Sequence, residues 1–421
     1  MFRFTTEIKG LAIDLDSFPN PIDEWGEIIN NFDCLFITSD AEKSKYIKAK
    51  YDAEVLPVDT FGKNFLPSVQ LQEAVLNTLD RTETELAYVS CDKEFINNAL
   101  AFYSCVIFVT KKPIEYENIC DLPDLMCGSL VELDDFLRNK VVSFIGEEIF
   151  SQDDVLPSQA SIPAFSLNCN GDKVVLFCLG RYYGSKTYMS QLHPFSRIVY
   201  MNKNKNSKVY RKYDMDFAEV LSLVISEFLK DYSDCICNVP VKPNCINRFD
   251  KIIDKIADDN ELENISDKFI TVKDYPAQKG LSALERRKNV EGAFSFEGTL
   301  TGKRVILIDD VITTGTTLRE CVKELKAKGA EAIYIVVLGI NQRGIAYFSA
   351  KQPVVECDNC NSKMGLYVNS REKKLFYSCR KCDSTKNFDI AKEELMEQIN
   401  SEFDSVKEDD FDKIFNELFL E

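Results

Sequence analysis

The sequence predicts an α/β protein: two doubly wound parallel-sheet domains, then a small four-cysteine ribbon and a helical tail. Three observations predict it. Short apolar runs alternate with helix-length segments, the pattern of parallel strands joined by crossover helices. Two of those runs end in paired carboxylates, Asp14-x-Asp16 after GLAI and Asp309-Asp310 after VILI. Two Cys-x-x-Cys pairs, Cys357/Cys360 and Cys379/Cys382, follow the second of these runs.

Size and composition bound the reading. A chain of 421 residues holds two or three domains, and 45% hydrophobic with 28% charged residues is a globular composition. No apolar run reaches membrane-span length and MFRFTTEIKG lacks a signal-peptide pattern, so a cytoplasmic protein with no membrane partner is expected. Fifteen cysteines in that setting point to reduced thiols and a metal site, not to disulfides. The single histidine, His193, argues against histidine triads and multi-histidine metal sites. A net charge of −17 opposes non-specific nucleic-acid binding by the whole molecule.

The expected first domain is 1–150. GLAIDLDSF places Asp14 and Asp16 at a strand's carboxyl end, CLFITSD places Thr38 at the next, and Lys63 precedes a helix over Val69 to Leu79. LAYVS then leads to Cys91 and Asp92, and VIFVT follows. Ligands of such sheets gather at the strands' carboxyl ends. From about Lys9 to Arg138 the order and spacing resemble the haloacid-dehalogenase (HAD) phosphatases. The resemblance implies Asp14 as nucleophile and Asp16 as general acid/base, with Thr38 and Lys63 holding a phosphoryl group. It also implies Mg²⁺ on Asp14 and Asp16, with Asp92 or Glu94 as the substitute acid in a shifted register. Ser90-Cys91-Asp92-Lys93-Glu94-Phe95 departs from the pattern, since Cys91 and Phe95 stand where the family has acids. Turnover and binding alone therefore both stay open.

SQDDVLPSQASIPAF, 151–165, reads as a polar linker. The expected second domain, 166–350, starts with a hairpin or edge strands through NCNGDKVV, whose Arg181-Tyr182-Tyr183 reads as packing, with an acceptor pocket as the alternative. Its most informative stretch is VILIDDVITTGTTL: a buried strand Val305–Ile308, the acids, a turn Thr313 to Thr317, and a helix from near Leu318. Backbone N–H groups of such a turn and helix start make an anion site. Val311, Thr313, Thr314, Gly315, Thr316 and Thr317 would cradle a phosphate, and Asp309 and Asp310 suit a sugar diol or Mg²⁺. There is no GxxxxGK[ST] nucleotide loop.

This stretch resembles the phosphoribosyl-diphosphate (PRPP) loop of type I phosphoribosyltransferases. TVKDYPAQKGLSALERRKNVEGAF, with Gln278, Leu281, Arg286, Asn289, Gly292, Ala293 and Phe294, is similar to the segment before that loop in ComF-type members. CNVPVKPNCINRFDKIIDKIA resembles their diphosphate-binding turn, which implies that Lys242 and Arg248 meet the diphosphate; the usual RGFNQ is reduced to Asn247-Arg248-Phe249. HPFSRIVY resembles the start of their domain. Arg286, with Arg287 and Lys288, would close over the reacting groups and exclude water. Such transfer needs positioning and charge stabilisation more than a nucleophile.

The ribbon, 351–386, has eighteen residues between its Cys-x-x-Cys knuckles, and Cys357, Cys360, Cys379 and Cys382 are the expected structural Zn²⁺ ligands. Lys363, Arg371, Lys373, Lys374, Arg380, Lys381 and Lys386 make it basic, read as a solvated face with single-strand contact as the alternative. The tail, 387–421, is acidic, with Phe411, Ile414, Phe415, Leu418 and Phe419 at helical spacing, a stripe suited to docking on this protein or a partner. The expected function is Mg²⁺-dependent transfer of phosphoribose from PRPP to an unidentified small-molecule acceptor, coupled to dephosphorylation in nucleoside-like metabolism. The alternatives are a non-catalytic PRPP-binding regulator and a ComF-like single-stranded DNA accessory.

Overall fold

The computed structural model describes residues 8–18, 25–58, 66–100, 102, 104–110, 114–116, 121–139, 144–150, 160–184, 193–243, 245–273, 275, 288–342, 355–361, 364–369, 374–379, 381–382 and 384–387. Lys63, Gln278, Leu281, Arg286, Arg287, Lys363, Arg371, Lys373, Arg380 and the tail's apolar stripe lie outside them. The chain divides into two compact units, 1–108 with 185–192 and 343–421, and 109–184 with 193–342.

In the first unit β1 (Gly10–Asp14), β2 (Asp33–Thr38), β3 (Glu54–Pro57), β4 (Leu86–Ser90) and β5 (Cys105–Val109) run in the order β3-β2-β1-β4-β5. Every pairing among them is parallel. Helices Gly26–Asn31, Ala41–Tyr51, Val69–Leu79 and Lys93–Ala99 alternate with the strands. β1, β4 and β5 are buried throughout, which is why they read as continuous apolar runs. Trp25, fully buried, stands edge-on to Phe18 and Phe36 at 5.0 and 5.6 Å between ring centres.

The second unit contains β6 (Ile114–Glu115), β7 (Leu125–Cys127), β8 (Ala164–Cys169), β9 (Asp172–Tyr182), β10 (Cys235–Asn238), β11 (Glu263–Asn264), β12 (Phe269–Thr271), β13 (Phe294–Phe296), β14 (Arg304–Ile312) and β15 (Ala332–Asn341). Its main sheet has the order β11-β10-β14-β15-β9-β8-β6. β8 and β9 form the expected hairpin, turning on Asn170 and Gly171 with φ of 58° and 104°. β12 and β13 pair separately and antiparallel. Helices Asp214–Phe228 and Asp250–Asn260 pack with Ile306, Ile308, Val336 and Leu338 in one apolar cluster. Each such buried aliphatic contributes roughly 1.5–3 kcal/mol.

The two compact units divide at residue 108, and parts of 109–150 make contacts within the second unit. Ile114 pairs with Phe165, Phe144 bridges Ser161, and the main-chain N–H of Leu122 donates to Gln342 at 2.8 Å. Arg181, 1% exposed, bonds Asp124 at 2.7 Å and Glu147 at 2.6 Å, so it is a packing residue balanced by two acids from that segment. Part of the expected linker is likewise structured, since β8 starts at Ala164.

In the ribbon, β16 (Gly365–Asn369), β17 (Lys374–Ser378) and β18 (Thr385–Asn387) form an antiparallel sheet. Among the described residues no helix is long and apolar enough to cross a membrane.

Candidate functional site

β14 carries the second acid pair further along the sheet than the apolar run alone suggested. It continues to Ile312 because β15 stays beside it, with Asp309 opposite Val337 and Val311 opposite Gly339. The helix begins at Thr316, two residues before Leu318, and Gly315 caps it with φ of 71°. A Cβ at Gly315 would stand 3.1 Å from the Arg319 guanidinium and 3.3 Å from Ile312, a tight fit, and the left-handed conformation is what calls for glycine. Arg319 donates to the Thr314 carbonyl and, through Nε, to the Asn168 carbonyl at 2.8 Å. The Thr314 and Thr316 hydroxyls are 2.8 Å apart; Thr313 is exposed, and Thr317 lies in the helix's first turn.

Two cations face the acids. Arg248 donates to Asp310 Oδ2 at 2.8 Å, and Lys203 Nζ lies 3.6 Å from the same oxygen and 4.8 Å from the centre of the Tyr182 ring. Burial works to raise the Asp310 pKa, but Lys203 and Arg248 outweigh it and hold the carboxyl below its ordinary range. Asp309 goes the other way: burial first, then the adjacent Asp310 charge, push its pKa up. One acid is thus a firm anion and its neighbour is close to accepting a proton, both beside a helix N-terminus.

Of the two residues expected at the diphosphate, only Arg248 reaches this acid pair. Lys242 donates to the Tyr275 carbonyl at 2.6 Å and sits 4.6 Å over that ring. Asn247 fixes the turn by bonding Asn238 and accepting from the Phe249 N–H. Sequence reasoning missed Lys203, which lies one turn beyond HPFSRIVY on the helix Pro194–Lys203. The helix's one other charge, Arg197, gave no reason to single it out.

The first acid pair has a different setting. Asp14, buried, accepts from Ser90 Oγ at 2.6 Å. Burial raises its pKa, Ser90 and Ser17 oppose, and the charges of Asp16 and Asp92 add to the rise. Asp16 accepts from the Thr38 hydroxyl and from the Ser39 N–H and hydroxyl, the last two at 2.7 Å; these bonds overcome burial and lower its pKa. Asp92 caps the helix Lys93–Ala99 by accepting from Glu94 N–H at 2.9 Å. Lys43 donates to the carbonyls of Leu15 and Phe18 at 3.1 and 3.3 Å. Thr38 therefore bonds Asp16, Asp14 lies close enough to feel the Asp16 charge, and the carboxylates of Asp16 and Asp92 are engaged by neighbours. Among the described residues, the four ribbon cysteines are the group of three or more His, Cys, Asp or Glu found close enough to share an ion.

Residues 239–369 match the family profile of the phosphoribosyl transferase domain. Over that stretch the chain is similar to phosphoribosyl transferase domains. Its match starts after β10 and includes β14, the acid pair and β15. Competence protein F of Haemophilus influenzae is 37% identical over 92 residues, 21% of this chain and 40% of that protein. DNA utilization protein YhgH of Escherichia coli K12 is 38% identical over 58 residues, 14% and 26%. Orotate phosphoribosyltransferase of Acinetobacter baylyi is 41% identical over 76 residues, 18% and 35%. The chain thus spans less than half the length of these relatives. A solved purine phosphoribosyltransferase from Pyrococcus horikoshii matches 34% of this chain and 95% of its own, with 19% identity and a TM-score of 0.22.

Beyond the acid pair, the cysteines form a compact metal-ligand set. Cys357 and Cys382 sulfurs are 3.4 Å apart, Cys360 and Cys379 3.4 Å, Cys360 and Cys382 3.7 Å, and all four lie within 4.8 Å of one another. Four thiolates around one Zn²⁺ at about 2.3 Å stand roughly 3.8 Å from each other, so the set fits that ion. The Cys360 and Asn361 N–H groups donate to the Cys357 carbonyl, which makes the first knuckle. All fourteen described cysteines are free thiols. Of the basic residues, Lys386 pairs with Asp358 at 3.2 Å.

Proposed function

We propose that the transferase domain binds PRPP with Mg²⁺ and transfers its phosphoribosyl group to a small-molecule acceptor. What carries this reading is the arrangement around β14: two carboxylates flanked by Lys203 and Arg248, directly before a glycine-capped helix N-terminus. In this reading the amides from Thr314 to Thr317 hold the ribose phosphate, and Asp309 and Asp310 hold the diol. Arg248 and Lys203 supply positive charge as the bond at C1′ breaks, and Arg286 closes the site. Magnesium, when bound, supplies charge neutralisation for the departing diphosphate.

In the first unit the closeness of Asp14 to Asp16 and the Thr38 bond to Asp16 support a HAD-like phosphate site, with Lys63 as a further ligand and Asp92 beside any Mg²⁺. Dephosphorylation of the transfer product would couple the two activities. The four cysteines would hold a structural Zn²⁺; one zinc per chain, lost in Cys379→Ser, is the expected metal analysis. The acidic tail is kept as a protein-docking element, and the cytoplasm as the compartment.

Calorimetric titration of PRPP with Mg²⁺ into the full chain, then a screen of nucleobases for pyrophosphate release, tests the assignment. Binding with release establishes the transferase. Binding with no release from any acceptor favours a PRPP-binding regulator, a reading that gains from the 42% identity over 70 residues to transcriptional regulator GfcR 2 of Methanosarcina barkeri. Absence of binding sinks both, and salt-sensitive single-stranded DNA binding would then favour a role like that named for YhgH.

A further inference from the structure

The phosphate loop is held from behind by a residue that the family match does not include. Tyr116 follows β6, is 2% exposed, and donates its hydroxyl to the Thr313 carbonyl at 2.6 Å across 197 residues of sequence. The next carbonyl, that of Thr314, accepts from Arg319. Both donors are tied to the same edge of the sheet: β6 pairs with β8 through Ile114 and Phe165, and Arg319 also bonds the carbonyl of Asn168 on β8.

In a trans peptide the carbonyl of one residue and the N–H of the next point in opposite directions. Fixing the Thr313 carbonyl on Tyr116 therefore aims the Thr314 N–H away from β6. Fixing the Thr314 carbonyl on Arg319 likewise sets the direction of the Gly315 N–H. A loop of this composition binds an anion only if its carbonyls are turned out of the concavity, because each inward carbonyl brings a negative end to the anion. We infer that Tyr116 is a positioning residue for the phosphate-binding loop, presetting its amides for the phosphate of a phosphoribosyl ligand. The inference rests on the proposed function for what the loop binds. It gives residues 109–150 a part in the transferase site that their place before residue 239 does not suggest.

The test uses the full chain and Tyr116→Phe, which keeps the ring and removes only the hydroxyl. PRPP and ribose 5-phosphate, each with Mg²⁺, are titrated into both proteins, and amide exchange of residues 313–316 is followed without ligand. The expected result is binding of both ligands weakened by a common factor of about 3 to 10, the range for one neutral hydrogen bond, with faster exchange and a small drop in urea midpoint. Equal affinities in the two proteins overturn the role of Tyr116 alone. A parent that binds neither ligand overturns the proposed function and this role with it. A lowered urea midpoint with unaltered affinity assigns Tyr116 to packing and also overturns the inference.

Discussion

Both units place two carboxylates where parallel strands end, yet the surroundings of the two pairs are nearly opposite. Asp14 and Asp16 are satisfied by hydroxyls and one main-chain N–H, from Ser90, Thr38 and Ser39. Asp309 and Asp310 are adjacent in sequence, face Lys203 and Arg248, and precede a helix start capped by glycine. Acids at a strand end are thus only raw material. Nearby cations and amides, which can pass from a carboxylate to an incoming phosphate, are what support the proposed sugar-phosphate reading of the second pair, whereas the first pair's acids are bonded mainly to hydroxyls.

Exchanging the acids tests that contrast most severely. Asp309→Asn/Asp310→Asn should weaken PRPP binding by about 100-fold or more, since two charge-assisted contacts to the diol are lost. Asp14→Asn/Asp16→Asn should leave the same calorimetric affinity unchanged. Equal losses in both variants would erase the distinction.

The next effect concerns the cations. Lys203→Met should weaken PRPP binding about 5-fold, the equivalent of roughly 1 kcal/mol for one cation at a partly exposed site. The slope of affinity against salt should also become shallower. An unchanged slope would show that Lys203 serves Asp310 alone.

Stability against pH separates the two acids of the second pair. Asp309 is pushed up to about 7 from an ordinary 3.8 by burial and by Asp310. Between those values the folded protein binds more protons than the unfolded chain, so stability falls as pH rises through that window. Asp309→Asn should therefore be more stable than the parent at pH 8, with the difference vanishing toward pH 4 in urea unfolding. A constant difference would mean Asp309 titrates normally. The smallest expected effect is at the other pair: Ser90→Ala removes one bond to Asp14, costing about 1 kcal/mol of stability and leaving PRPP affinity alone. A shift in that affinity would contradict the separation of the two sites.

How much of this was legible in the sequence follows from range. The strand through Val305–Ile308, the Asn170-Gly171 turn and the cysteine pairs are local patterns, each written in a few adjacent residues. Lys203 and Tyr116 are not. A lysine on an amphipathic helix and a tyrosine among polar neighbours mean nothing until folding brings them to Asp310 and Thr313. The boundary at 108 was hidden for the same reason, since Arg181 meets Asp124 and Glu147 across 57 and 34 residues. Lys242 shows the converse: a residue in a recognisable turn whose amine faces Tyr275 rather than the acids.

The strand order has a consequence for synthesis. β15 lies between β14 and β9, yet it is the last of this sheet's strands to leave the ribosome. Until residues 332–341 emerge, β9 lacks its parallel neighbour and β14 has one open side. The nascent chain must keep the apolar edge of β9 apart from other chains through some 150 residues of translation, from the end of β9 to the start of β15, and that of β14 through about 20. Arrest of translation just before β15 should leave a piece that chaperones hold, and release a few dozen residues later should let the sheet close in one step.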